Sequence, residues 1–97
     1  MFGLIGKIQC VPGQRDALAS ILVQATAGMP GCRSYVIAAD AIDPDALWVT
    51  EVRDSSASHK ASLLLPEVQR AIAKGKALIA GFGARFETRP IGGTGLV

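Results

Sequence analysis

His59 is the one histidine of the chain. It is therefore the one side chain whose ordinary pKa lies near neutrality, and the first candidate for a general base. Glu51 is the second. It stands inside Leu47-Trp48-Val49-Thr50-Glu51-Val52-Arg53, a stretch rich in apolar and β-branched residues. A carboxylate in such a setting is either buried with a partner or set at the edge of a cavity. Burial would lift its pKa into a range useful for acid/base work; the alternative is a structural ion pair with Arg53, Arg85 or Lys7. Tyr35, the lone tyrosine, and Trp48, the lone tryptophan, offer flat rings for stacking against an aromatic ligand, and the Tyr35 hydroxyl could donate to an anion. Trp48 serves equally well as core or subunit interface. Phe82 is a further wall candidate, and Arg85 could hold an anionic oxygen or simply face water. A base, a hidden carboxylate, flat rings and one cation suit proton abstraction from a small aromatic compound.

Other chemistries find less support. Ten basic residues are scattered among eight acidic ones, for a net charge of +2, with no Lys/Arg run. The electrostatic footprint of a nucleic-acid binder is missing. Cys10 and Cys32 have no metal-type spacing and read as two free thiols of a reducing compartment. The segment Gly92-Gly93-Thr94-Gly95 lacks the Gly-Lys-Ser/Thr ending of a phosphate loop. The opening MFGLIGKIQC has no basic lead and is broken by Lys7, unlike a secretory signal. No apolar run approaches the roughly 18 residues of a membrane helix, so neither a membrane nor a nucleic acid is expected as partner, and the cytoplasm is the expected location.

The elements that must position these residues follow from periodicity. Phe2, Leu4, Gly6, Ile8 and Cys10 alternate with Gly3, Ile5, Lys7 and Gln9, a period of two that predicts a strand. After Pro12-Gly13 the period changes. Leu18, Ile21, Leu22 and Ala25 share one face of a helix over 14–27, stopped by Gly28 and Pro30-Gly31. Cys32–Ala39 and Leu47–Arg53 read as strands joined through the Asp43-Pro44-Asp45 turn. Asp54-Ser55-Ser56 supplies a cap for a helix to about Leu65, and Pro66 opens a second helical segment whose apolar side includes Val68, Ala71, Ile72, Leu78 and Ile79. Gly81-Phe82-Gly83 is expected to turn into a last strand over 84–89. The tail, 91–97, reads as loose or folded against a partner.

The order β-α-β-β-α-β predicts an α+β domain, ferredoxin-like, with an antiparallel sheet and helices on one face, over residues 2–90. At 97 residues there is room for one domain, yet 49% of them are hydrophobic. The strands are apolar on both faces, which a sheet half open to water would not be. One face takes the helices, and the other calls for a second copy of the chain, a homodimer. Trp48 and Glu51 have opposite parity and point to opposite faces, so either Tyr35 pairs with Glu51 or Trp48 with a helix residue.

The Pro12-Gly13 helix entry, the Met29-Pro30-Gly31-Cys32 turn, the Leu47-Trp48-Val49-Thr50-Glu51-Val52 strand followed by Asp54-Ser55, and Leu65-Pro66-Glu67-Val68 resemble the antibiotic biosynthesis monooxygenase family, closest to its quinol monooxygenase branch. The resemblance implies a dimeric α+β barrel. It also implies oxygenation of phenolic or quinol-like substrates by molecular oxygen without metal, haem or flavin, so no cofactor is expected. The same fold also hosts isomerases and binding proteins. Two positions depart from the family pattern: Arg53 stands where many members carry tryptophan, and Ser62 where many carry histidine. The chain has no asparagine, which counts against haem degradation. The family register turns His59, Ser62 and Leu63 inward, whereas a helical wheel through Ala57, Ala61 and Leu64 turns His59 outward.

Overall fold

The computed structural model describes residues 1–96. Its elements are β1 (Phe2–Cys10), α1 (Arg15–Thr26), β2 (Cys32–Ala39), β3 (Ala46–Arg53), α2 (Ser56–Ser62), α3 (Pro66–Lys76) and β4 (Ile79–Thr88). The four strands form one antiparallel sheet in the order β2-β3-β1-β4. This is the expected ferredoxin-like α+β arrangement, with the second helical crossover broken in two. Pro66 sits in the first turn of α3, where its missing N–H costs nothing, and it divides α2 from α3 because it disfavours helical backbone at the preceding Leu65, which is extended at ψ 138°.

The sheet has two unlike faces. Cross-strand pairing sets Tyr35, Glu51 and Leu4 in one row, and Ile37, Val49 and Gly6 in the next. Cys10 and Leu47 share this face and pack with Leu18 of α1 as the buried centre, ringed by Ile8, Leu22, Ile37, Leu78 and Ile79. The helices cover its β2–β3 side, while the β4 edge stays open to water. The other face carries Ile5, Lys7, Trp48, Val36 and Phe86, and no helix among the described residues covers it: Val36 is 53% and Phe86 57% exposed.

The last strand differs from expectation. It begins at Ile79, so Leu78 and Ile79 belong to the turn and strand rather than to α3, and Gly81–Gly83 lie within β4. Gly6 pairs with Arg85 but Ile8 pairs with Phe82, so three steps along β4 oppose two along β1. That extra residue is a β-bulge. It puts Phe82 and Arg85 on the same, helix-covered face, and Phe86 on the open one, where simple alternation would have put Phe82 with Phe86. Glycine at 83 suits the bulge, because a Cβ there would sit 3.2 Å from the Lys7 side chain. Gly75, a poor helix former by about 1 kcal/mol against alanine, lets α3 approach α1: a Cβ at this position would be 3.0 Å from Leu18 Cδ1.

Beyond Thr88 the chain adds no strand or helix up to Leu96, and Ile91 is 95% exposed. The last residue of the anticipated tail, Val97, lies outside the described residues. No helix among them is long and apolar enough to cross a membrane.

Candidate active site

Ser55 caps α2, its hydroxyl accepting from the Ser58 N–H at 3.1 Å. The cap fixes the rotation of a seven-residue helix that could not hold itself by propensity. In that rotation Ser62 is buried, His59 half-buried, and Ala61 and Leu64 exposed. Of the two sequence readings, the family register describes His59 and Ser62 and the Ala57–Ala61–Leu64 stripe does not; Leu63, the third residue of that register, borders the cavity but is 41% exposed. The Ser62 hydroxyl donates to the His59 carbonyl at 2.6 Å, so the residue in place of the family's histidine serves the backbone of the helix.

His59 faces β3. Its Nδ1 lies 3.0 Å from Glu51 Oε1, with only 4% of the Glu51 side chain exposed. The contact has the distance of an ion pair without the alignment of a hydrogen bond, a common condition in ligand-free sites. The Phe2 ring flanks the imidazole at 5.3 Å between centroids, tilted by 33°. The other oxygen of Glu51 is taken by Arg53: Nε donates to Oε2 at 3.1 Å and Nη2 at 3.0 Å. The remaining arm of Arg53, Nη1, donates to Met29 Sδ at 2.8 Å. Glu51 is thus the buried ion-pair partner of Arg53, one of the sequence alternatives, and also stands behind the imidazole of His59. Residues two apart on a strand share a face, which is why Glu51 and Arg53 can meet there. The i, i+2 spacing was visible in the sequence; that Arg53 would be 2% exposed was not.

Tyr35 is the register partner of Glu51 on β2. Burial, with the Glu51 charge beside it and Arg53 opposing, pushes its pKa up to about 12. Its hydroxyl is thus a proton donor at neutral pH. The Arg53 guanidinium lies 5.9 Å from the centre of its ring.

These residues line a cavity of about 720 Å³ between the sheet and the helices. Tyr35, Glu51, Arg53, His59 and Ser62 supply a polar corner, and Leu18, Leu22, Val68, Ile72, Ile79 and Phe82 supply apolar walls. A second hollow of about 440 Å³ shares Ile8, Tyr35, Glu51, His59 and Phe82 with the first and adds Lys7 and Arg85 at its far side. Phe82 is 77% exposed and borders both. Arg85 forms a surface pair with Glu87 at 3.2 Å. Five of the six sequence candidates (His59, Glu51, Tyr35, Phe82 and Arg85) thus reach these hollows. Trp48 does not. It lies on the opposite face, where its Nε1 donates to Asp40 Oδ2 at 2.8 Å and Lys7 Nζ stands 5.8 Å from its ring. Backbone N–H groups of Asp43 and Ile42, together with Trp48, hold the Asp40 carboxyl well below the usual carboxylate range, which makes this corner a fixed anionic cap on the loop. Sequence reasoning missed Arg53 and Met29 as site residues.

Cys10 and Cys32 are both free. Burial, with Asp45 nearby, pushes the Cys10 thiol up and leaves it a small apolar packing group. Among the described residues no three His, Cys, Asp or Glu side chains gather as a metal-binding group.

The antibiotic biosynthesis monooxygenase family model matches residues 1–74. This chain belongs to that family. Within it, the chain is 59% identical to a candidate antibiotic biosynthesis monooxygenase from Chloroflexus aurantiacus J-10-fl, over 99% of this chain and 98% of that one, with a TM-score of 0.95. A candidate antibiotic biosynthesis monooxygenase from Deinococcus radiodurans is 25% identical, with 96% and 95% of the two chains covered and a TM-score of 0.77. A Mycobacterium tuberculosis protein, 23% identical over 96% and 97% of the chains at a TM-score of 0.77, shares the fold. No curated protein gives a significant match. Family membership makes monooxygenation the activity against which the His59 corner is to be judged.

Proposed function

We propose that this protein is a cofactor-independent monooxygenase of a small phenolic or quinol-like aromatic compound. The observation that carries the reading is the pairing of the sole imidazole with a buried carboxylate at the polar corner of an otherwise apolar cavity. A neutral phenol reacts poorly with oxygen, and its anion, being electron-rich, can pass an electron to it. The protein has then to remove one proton, keep water away and steady the resulting charge.

Each task has a residue. With Nδ1 turned to Glu51, the other ring nitrogen of His59 is the one left to take the phenolic proton. Glu51 stabilises the imidazolium that forms. Arg53 cancels the Glu51 charge, so the resting corner is neutral overall and admits a neutral phenol without repelling the anion formed from it. The Tyr35 hydroxyl, kept protonated, can donate to the developing oxyanion. Leu18, Leu22 and Val68 set an apolar wall against the ring that limits the water reaching it. In the overall reaction a quinol and one O2 give a hydroxyquinone and one water. One oxygen atom ends on a ring carbon, the other leaves as water, and the quinol supplies all four electrons.

The test is oxygen uptake by metal-stripped protein over a panel of hydroquinones and anthrones. Protein-dependent uptake well above autoxidation is expected for at least one compound. Uptake equal to autoxidation across the panel, with thermal stabilisation by the same compounds, would instead favour a protein that binds aromatic metabolites without transforming them.

We further propose that the open sheet face bearing Val36, Trp48 and Phe86 is covered by a second copy, giving the homodimer. The support is physical: a contiguous apolar sheet face left in water is costly, and two-fold pairing buries it on both copies at once. Light scattering is expected to return twice the 10.1 kDa chain mass. A mass near that of one chain at working concentration would reject the dimer.

A further inference from the structure

We infer that Arg53 is the positioning residue of the site: it fixes the Glu51 carboxylate so that Oε1 alone serves His59. The inference rests on the proposed reading of His59 as base, but it has a readout independent of that reading.

The geometry is a division of labour between two oxygens. Arg53 Nε and Nη2 both donate to Oε2, while His59 Nδ1 stands at Oε1. A guanidinium is planar, and its two donors converging on Oε2 occupy that oxygen and leave Oε1 as the one turned to His59. The guanidinium is itself held from its third side, because Nη1 donates to Met29 Sδ in the turn between α1 and β2. Its flat face stands near the Tyr35 ring. Arg53 is thereby held by contacts to β2 and to the turn between α1 and β2, in addition to its own strand. The consequence for His59 is a defined tautomer. An Oε1 held 3.0 Å from Nδ1 favours the proton on Nδ1 once the ring aligns with it, and leaves Nε2 as the unprotonated nitrogen. Without Arg53 the carboxylate could rotate, and its charge would stand uncompensated beside the imidazole. The ring would lose its fixed orientation even though His59 and Glu51 were both still present.

The chain has one histidine, so its ring nitrogens give one unambiguous pair of 15N NMR signals. Recorded on the neutral ring, those signals are expected in the wild type to report the proton on Nδ1. In Arg53→Gln they are expected to move toward the average of the two tautomers. In parallel, kcat for protein-dependent oxygen uptake is expected to fall roughly 10²-fold, the scale of an orientation loss, with KM changed far less. Arg53→Lys, which keeps the charge and loses the fork, is expected to recover only part of the rate. It also serves as the folded comparison should Arg53→Gln fail to fold. In a Glu51→Gln background, Arg53→Gln should cost nothing further, because Arg53 acts through Glu51. Unchanged 15N signals in Arg53→Gln, full activity in Arg53→Lys, or losses that multiply across the double variant would each overturn the inference. If the wild type shows no uptake on any substrate, the oxygenase reading fails, and the 15N comparison still decides whether Arg53 positions the pair.

Discussion

His59→Ala is expected to lower protein-dependent oxygen uptake by about 10²- to 10⁴-fold in kcat/KM, the range of a positioned general base. The loss should sit in kcat. The imidazole removes a proton in the transition state and adds little to the grip on a neutral aromatic ring, which Leu18, Leu22, Val68 and Ile72 supply. Two companion measurements distinguish loss of the base from loss of the fold. The first is added imidazole, small enough to occupy the space the side chain leaves, which should restore part of the rate to His59→Ala and none to Glu51→Gln. The second is a rise in rate with pH for the variant, as hydroxide or prior ionisation of the phenol replaces the missing base. A variant that keeps wild-type uptake would remove His59 from the mechanism and return the role of base to Glu51 or to solvent.

How much of this could be read from residues alone depended on whether the signal was local. The first three strands and the first helix are written in period and punctuation, with Pro12-Gly13 and Pro30-Gly31 at their ends. The structure places β1 and β2 as read and moves the ends of α1 and β3 by one residue. The failure at β4 has a specific cause. Gly81-Phe82-Gly83 carries the composition of a turn, but pairing with β1 on one edge holds it extended, and a bulge absorbs the mismatch. Tertiary pairing overrode local preference there, and it reversed the parity that would have put Phe82 and Phe86 together. In the site, strand parity separated Trp48 from Glu51 and left two pairings open; the β2–β3 register, which local sequence does not carry, joins Tyr35 to Glu51. The pairing of Arg53 with Glu51 was one of the alternatives the sequence offered; its burial was not legible, because the Met29 contact on its far side comes from a turn distant in sequence.

Glu51→Ala is expected to destabilise the fold by about 3–5 kcal/mol, the cost of leaving one member of a buried ion pair uncompensated. Glu51 and Arg53 side chains are 4% and 3% exposed, so water cannot take over from the missing carboxylate without opening the cavity corner. Single domains are held by only about 5–15 kcal/mol, so this one change should remove a large share of the margin, visible as a lower urea midpoint with an unchanged slope. The double variant Glu51→Gln with Arg53→Met separates the meaning of that loss. If the pair existed for stability, replacing both members should be as damaging as breaking it. Buried pairs more often cost as much to desolvate as they return, and a replacement that removes both charges is commonly neutral or stabilising. The double variant is therefore expected to unfold near the wild-type midpoint while remaining inactive in oxygen uptake. That combination, stability regained without activity, would mark the buried charges as held in place for the chemistry at His59. A double variant as unstable as Glu51→Ala would show that the pair is a strut of the fold.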